Sequence, residues 1–171
     1  MKTLDVKYRH QSMRGWFAYE LYKQMAKNDR VWLVAGDLGY KMLDHIKRDF
    51  SKRFINCGTA EQSMMGISVG LALSGKIPFV YSITTFLLYR PFETIRNYVN
   101  HEKIPVKLIA SGRNKDYAHD GISHWAQEDK SVMSILKNIE SRWPETLGEI
   151  PEIVERMVND KKPWYLNLRR E

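Results

Sequence analysis

The sequence contains little cysteine and no long apolar segment. One cysteine in 171 residues excludes an internal disulfide framework and is typical of a reducing compartment, so we expect a cytoplasmic protein. No apolar segment reaches the roughly 18 residues of a membrane-spanning helix. The N-terminal residues also lack the apolar core of a secretory signal. These absences favour a protein that acts neither in a membrane nor outside the cell.

Runs of one charge sign are also missing, although positive charge is in excess. The chain has 27 Lys and Arg against 20 Asp and Glu, a net charge of +7. Basic and acidic residues are interleaved, and the sequence has no helix-turn-helix, RNA-recognition or zinc-ligand pattern. We therefore expect no nucleic-acid partner. An anionic substrate or an acidic partner surface explains the excess charge better.

What the chain does contain is typical of one globular domain, with 43% hydrophobic and 27% charged residues. Short apolar segments that end in polar or glycine-containing loops alternate with segments of helical spacing. Strands are predicted at 31–35, 53–56, 77–81, 106–110 and 164–168, and the longer helices at 12–27, 61–74, 86–100 and 151–159. This alternation predicts an α/β fold with a mainly parallel sheet sandwiched by helices.

Ligands of such sheets bind at the carboxyl ends of the strands, so the loops there are the places to look for function. Glu61 begins the helix that follows the second predicted strand, where a carboxylate could simply complement the helix dipole. Thr59 and Gln62 have the spacing of a capping box at the same helix start. From Gln62 to Leu73 the helix has no charged residue, so its first turn is expected to be buried. A buried carboxyl group can share a proton with a ligand.

Two further groups of residues lie in or next to these loops. Residues 120–124 bring Asp120, Ser123 and His124 together around a glycine turn, although a lone histidine is more often structural than catalytic. The second group is an aromatic series with a spacing of three, which without other information indicates the core side of a helix. Its members are Phe86, Tyr89 and Phe92.

Residues 53–64 (Arg-Phe-Ile-Asn-Cys-Gly-Thr-Ala-Glu-Gln-Ser-Met) and 70–80 resemble the central, pyrimidine-binding domain of transketolases. They are similar also to deoxyxylulose-phosphate synthases and to the β subunits of 2-oxo acid dehydrogenases. Further similar segments follow in the family's order, from about Val31 to Arg169: Thr85-Phe86-Leu87, residues 120–124, Glu128-Asp129 and residues 162–169. The resemblance implies the thiamine-diphosphate-binding pyrimidine-domain fold.

The resemblance implies thiamine diphosphate as cofactor, and it assigns roles to residues of this chain. Glu61 would be the carboxyl group that hydrogen-bonds the pyrimidine nitrogen N1′ and so activates the cofactor's own amino group as a base. The aromatic pocket for the pyrimidine falls on Phe86, Tyr89 and Phe92. Asp37 matches an aspartate near the cofactor and the subunit boundary, with a helix N-cap as the alternative role.

Substrate contacts follow from the same resemblance. His124 and Asp120 match positions that contact the donor's carbonyl and hydroxyl oxygens, and His124 is thereby a candidate catalytic residue. Arg113 matches a phosphate-binding arginine of deoxyxylulose-phosphate synthases, with a solvated loop residue as the alternative. The chain departs from transketolases in the loop that faces the substrate. Gly112 stands where they have histidine and Trp125 where they have glutamine, and Tyr117 and His119 enlarge that loop and change its polarity.

The Gly-Asp-Gly motif that holds the diphosphate through Mg²⁺ in this family is missing, and residues 36–39 do not replace it. The resemblance thus implies a single pyrimidine-binding domain over residues 1–171, without the diphosphate-binding and C-terminal domains. No metal ligand is predicted in this chain. We expect a separate diphosphate-binding subunit that binds most of the metal, and an α2β2 assembly of the two chains.

The expected activity is transfer of a two-carbon ketol unit by a transketolase-like enzyme with a sugar-phosphate or other anionic substrate. One alternative is a subunit of a two-subunit 2-oxo acid decarboxylase or carboligase. A second alternative is a non-catalytic binding or scaffold homologue, which would have no need for the Glu61 carboxylate.

Overall fold

The computed structural model describes residues 5–6 and 9–170 and contains a six-stranded sheet in the order β2-β1-β3-β4-β6-β5. The strands are β1 (Val31–Ala35), β2 (Phe54–Asn56), β3 (Ile77–Ile83), β4 (Lys107–Ser111), β5 (Glu140–Arg142) and β6 (Trp164–Leu168). Every neighbouring pair is parallel, so the predicted α/β fold with a parallel sheet is confirmed.

Helices cover both faces of the sheet because successive strand side chains point to opposite faces. The helices are α1 (Met13–Lys27), α2 (Asp44–Asp49), α3 (Glu61–Leu73), α4 (Thr84–Tyr89), α5 (Phe92–Thr94), α6 (Asp129–Ile135) and α7 (Ile150–Asn159). On β1, Leu33 belongs to one hydrophobic cluster, with α1 and α7, while its neighbour Val34 belongs to a second cluster, with α3 and α4. No helix within the described part of the chain is long and apolar enough to cross a membrane.

Two local predictions were wrong, and one strand was missed. The long helix expected at 86–100 is divided at Pro91, which has no N–H to donate, and the chain continues through α5 into π-helical Ile95–His101. Edge strand β5 was missed because its three half-buried residues carry no alternating pattern. The capping box does not form: Ala60 is the N-cap of α3, and Gln62 donates its side-chain N–H to Thr94 instead.

Candidate active site

The candidate site lies at the carboxyl edge of the sheet. The chain passes from β1 to β2 on one side and then returns to β3 on the other side of β1. This reversal of strand order opens a crevice in which α/β sheets commonly bind ligands. Glu61 follows β2, Phe86 follows β3 and His124 follows β4, so the parallel topology brings the three loops to the same edge.

Glu61 is the first residue of α3, and its side chain is only 2% exposed. Both of its carboxylate oxygens accept from Nη1 of Arg90, at 2.9 Å each. Arg90 directly follows α4, and its side chain is 47% exposed. The predicted burial is confirmed for Glu61 itself, whereas Gln62 and Ser63 in the same helical turn are exposed. Sequence reasoning missed Arg90. A buried carboxylate needs a cation or a hydrogen-bond donor beside it, so the predicted burial of Glu61 already implied such a neighbour.

Phe86 connects this ion pair to His124. The guanidinium carbon of Arg90 lies 3.8 Å from the centroid of the Phe86 ring. On the same ring, the imidazole of His124 packs edge-on, with the two centroids 4.8 Å apart. Nδ1 of His124 is 2.9 Å from Oγ of Ser123, which orients the imidazole. The predicted site residues Glu61, Phe86 and His124 thus belong to one continuous cluster of contacts, in which Arg90 lies between Glu61 and Phe86.

The other two members of the aromatic series have different surroundings. Burial, together with the nearby Glu128 carboxylate, raises the pKa of Tyr89. Phe92 packs against the hydrophobic cluster beneath α3, which agrees with the core side of a helix. The Phe86 ring lies against Arg90, the residue that pairs with Glu61. The cofactor-binding roles of Tyr89 and Phe92 remain predictions.

Tyr117 supports His124 from the other side, with the two ring centroids 6.0 Å apart. Its hydroxyl is 2.8 Å from Oγ of Ser111 and accepts from Nη1 of Arg14 at 3.4 Å. Gly112 has a φ of +90°, and a β-carbon there would lie 2.4 Å from the Tyr117 ring. Glycine at position 112 therefore makes room for this tyrosine, which gives a physical reason for two of the departures from transketolases.

Arg113 is buried in a structural network. Its guanidinium donates to the Asn167 side chain and backbone carbonyl, the Pro144 carbonyl and the Glu145 carboxylate. Burial lowers the pKa of Arg113. The alternative of a solvated loop residue was wrong. Phosphate binding by Arg113 stays a prediction, but these contacts support a structural role instead.

Asp37 and Asp120 are exposed at the same edge of the sheet. Asp37 accepts from Nδ2 of Asn56 at 3.1 Å, and its backbone N–H donates to Oδ1 of that residue. The N-cap alternative for Asp37 was wrong, because the next helix has Leu43 as its N-cap. Asp120 precedes Gly121, whose positive φ turns the chain toward His124. The binding roles of both aspartates remain predictions.

The arrangement is suited to a planar heterocycle with an N–H group. The Arg90 guanidinium already makes an N–H contact with a buried carboxylate and a face contact with an aromatic ring, and an aminopyrimidine could make the same two. A buried hydroxyl without a hydrogen-bond partner, Oγ of Ser82 on β3, adds a polar atom at this edge. Among residues 5–6 and 9–170, no group of three or more His, Cys, Asp or Glu could hold a metal ion.

These features define a class: a parallel α/β domain whose helix-opening glutamate and neighbouring aromatic ring face the carboxyl edge of the sheet. The family model for the transketolase pyrimidine-binding domain matches residues 9–171. The chain belongs to this transketolase pyrimidine-binding domain family.

Individual relatives agree with this assignment. The chain is 30% identical over 94% of its length to a Methanocaldococcus jannaschii protein provisionally named as a transketolase C-terminal section, and covers 51% of it. It is 26% identical over 99% of its length to a 6-deoxy-6-sulfo-D-fructose transketolase subunit of Clostridium sp. (strain MSTE9), covering 53%. A solved split-gene transketolase, described as an inactive β4 tetramer, superposes with a TM-score of 0.82 at 30% identity, over 94% of this chain and 52% of that one. The chain thus spans about half the length of these relatives.

Proposed function

We propose that this chain is the pyrimidine-binding subunit of a thiamine-diphosphate-dependent, transketolase-like enzyme that transfers a two-carbon ketol unit. The observation that carries the proposal is the buried Glu61 carboxylate, held by a planar N–H donor that lies against Phe86. A buried carboxyl group beside an aromatic ring can share a proton with a ring nitrogen of a bound ligand, which is the task that the family's chemistry requires.

Each residue of the cluster has a defined task in this proposal. When bound, thiamine diphosphate supplies the electron sink for breaking a carbon–carbon bond next to a carbonyl group. Glu61 holds the shared proton at the pyrimidine nitrogen, and Phe86 orients the ring by contact with its face. His124 is fixed through Nδ1 by Ser123, and its Nε2 is the atom proposed to hydrogen-bond a donor oxygen. Asp120 and Asp37 are proposed second contacts to substrate and cofactor.

A partner subunit is supported by the surface next to Glu61. The outward side of α3 has no charged side chain, and Ile67 and Leu73 are exposed on it, with small residues between them. Ile122, beside His124, is exposed as well. Uncharged, partly apolar surfaces next to a site are typical of protein interfaces. We propose that a diphosphate-binding subunit, which also holds Mg²⁺, covers this surface in an assembly with two copies of each chain.

An anionic substrate is supported by the excess of positive charge, +7 for the chain. The relative from Clostridium sp. is named for a sulfonated sugar, which is an anion of this kind. We propose a sugar phosphate or another anionic ketose as the donor.

The experiment is a reconstitution of the two chains with thiamine diphosphate and Mg²⁺, followed by a ketol-transfer assay with sugar phosphates and sulfonated ketoses. Glu61→Gln keeps the size of the side chain but removes the carboxylate, so we expect kcat to fall by about 100-fold or more. Glu93→Gln changes an exposed glutamate and is the matched control, with unchanged kcat expected. Full activity in Glu61→Gln would sink the proposal.

A further inference from the structure

We propose that Arg90 is an internal occupant of the pyrimidine position: it pairs with Glu61 and covers Phe86 before the cofactor binds, and it must leave both when the cofactor enters. This inference rests on the proposed function and adds to it a residue that sets cofactor affinity. It concerns the state of the chain that precedes catalysis.

The first step of the argument is the hydrogen bond. One nitrogen of Arg90, Nη1, reaches both oxygens of Glu61 at 2.9 Å. A carboxylate that is 2% exposed requires a hydrogen-bond donor, which the protein, a water molecule entering the site or a ligand can supply. The same oxygens are the ones that would accept from the pyrimidine. Arg90 and the ring therefore compete for one acceptor group.

The second step is the stacking surface. The guanidinium group is planar, and its central carbon lies 3.8 Å from the Phe86 ring centroid. At this distance little room is left for a second planar group on the same face of the ring. Arg90 thus makes both contacts that the proposal assigns to the pyrimidine, and the two occupants exclude each other.

The third step is release. The Arg90 side chain is 47% exposed, and the hydrogen bonds that it makes within the described residues go to Glu61 alone. Arg90 follows the last residue of α4, so its side chain can turn toward solvent without opening the hydrophobic core. A half-exposed arginine gains only a modest free energy from an ion pair, which makes the displacement feasible.

The expected effect follows from the population of the open state. Apparent affinity falls by the fraction of molecules in which the site is free. If Arg90 occupies the site in roughly nine molecules of ten, removing its side chain should lower the dissociation constant about tenfold.

The test uses the chain assembled with its diphosphate-binding subunit and measures the dissociation constant of thiamine diphosphate, with Mg²⁺, by calorimetry. Arg90→Ala should bind the cofactor about tenfold more tightly than wild type. The control is Arg96→Ala, which removes an exposed arginine that donates to its neighbour Asn97, and no change is expected. Added guanidinium chloride should weaken cofactor binding in Arg90→Ala more than sodium chloride of equal ionic strength, because the free ion can occupy the vacated position.

The outcomes separate the two proposals. If Glu61→Gln weakens cofactor binding while Arg90→Ala leaves it unchanged, the proposed function holds and the internal occupant is rejected. Weaker binding in Arg90→Ala would also reject it, since Arg90 would then be a contact of the bound cofactor. If neither the wild-type complex nor any variant binds the cofactor, both proposals fail.

Discussion

Two arginine–glutamate pairs in this chain have opposite patterns of burial. In the Glu61–Arg90 pair the carboxylate is buried and the arginine is exposed, with side-chain exposures of 2% and 47%. In the Arg113–Glu145 pair the arginine is buried and the carboxylate is exposed, at 7% and 62%. The buried member of each pair determines what the pair can do, because it is the one that cannot be left without partners.

The partners of the two buried groups differ in number and in mobility. Arg113 has acceptors on three residues, among them two backbone carbonyls that are fixed by the fold. Within residues 5–6 and 9–170, Glu61 pairs with one side chain, Arg90, which reaches in from solvent. A buried charge with many fixed partners is a structural element. A buried charge with a single removable partner is available to a ligand.

The largest expected effect comes from removing Arg113. Arg113→Met keeps much of the apolar stem but leaves the carbonyls of Pro144 and Asn167 without this donor, so we expect the free energy of unfolding to fall by about 3 kcal/mol. Urea-induced unfolding at fixed pH measures it. Glu145→Gln removes only the exposed partner of the same pair and is the matched comparison, with little change in the free energy of unfolding expected. Equal losses in the two variants would contradict the claim that the buried member of a pair carries most of its contribution to stability.

A third buried cation extends the comparison to the opposite edge of the sheet. Lys107, the first residue of β4, donates to the backbone carbonyls of Asp160 and Lys162. Burial lowers the pKa of Lys107 to about 8. An unfolded lysine has a pKa of about 10.4. The unfolded chain therefore binds more protons between these values, and stability should rise with pH in that interval.

We accordingly expect wild type to gain about 2 kcal/mol in free energy of unfolding relative to Lys107→Met between pH 7.5 and 9.5. Urea unfolding of both proteins across this range measures the difference. The variant serves as the control for all other titrating groups. If the free energy of unfolding changes with pH in the same way in both proteins, Lys107 keeps its ordinary pKa in the folded state, and this prediction is wrong.

The order of the main elements could be predicted because short apolar segments and helical hydrophobic spacing are local patterns. Glu61 was found for a similar reason: the helix that it opens contains no other charge, which indicates burial. The break at Pro91 shows the limit of this approach, since the aromatic spacing of Phe86, Tyr89 and Phe92 suggests one helix when taken alone. Local periodicity identifies elements better than it identifies interruptions within them.

The arginines could not be assigned from local pattern. Arg90 is 29 residues from Glu61, and Arg113 is 54 residues from Asn167. Whether an arginine in a polar loop faces solvent or is enclosed depends on which distant strand end lies beside it. The hydrogen bonds of Arg113 therefore appeared only with the sheet order, in which β4 and β6 are neighbours.

The central claim is that this chain holds one half of a divided thiamine diphosphate site. The most direct measurement is a calorimetric titration of thiamine diphosphate, with Mg²⁺, into this chain alone and into its mixture with the diphosphate-binding subunit. The account predicts weak or undetectable binding to the chain alone and tight binding to the mixture. Tight binding to the isolated chain, or none to the mixture, would contradict it.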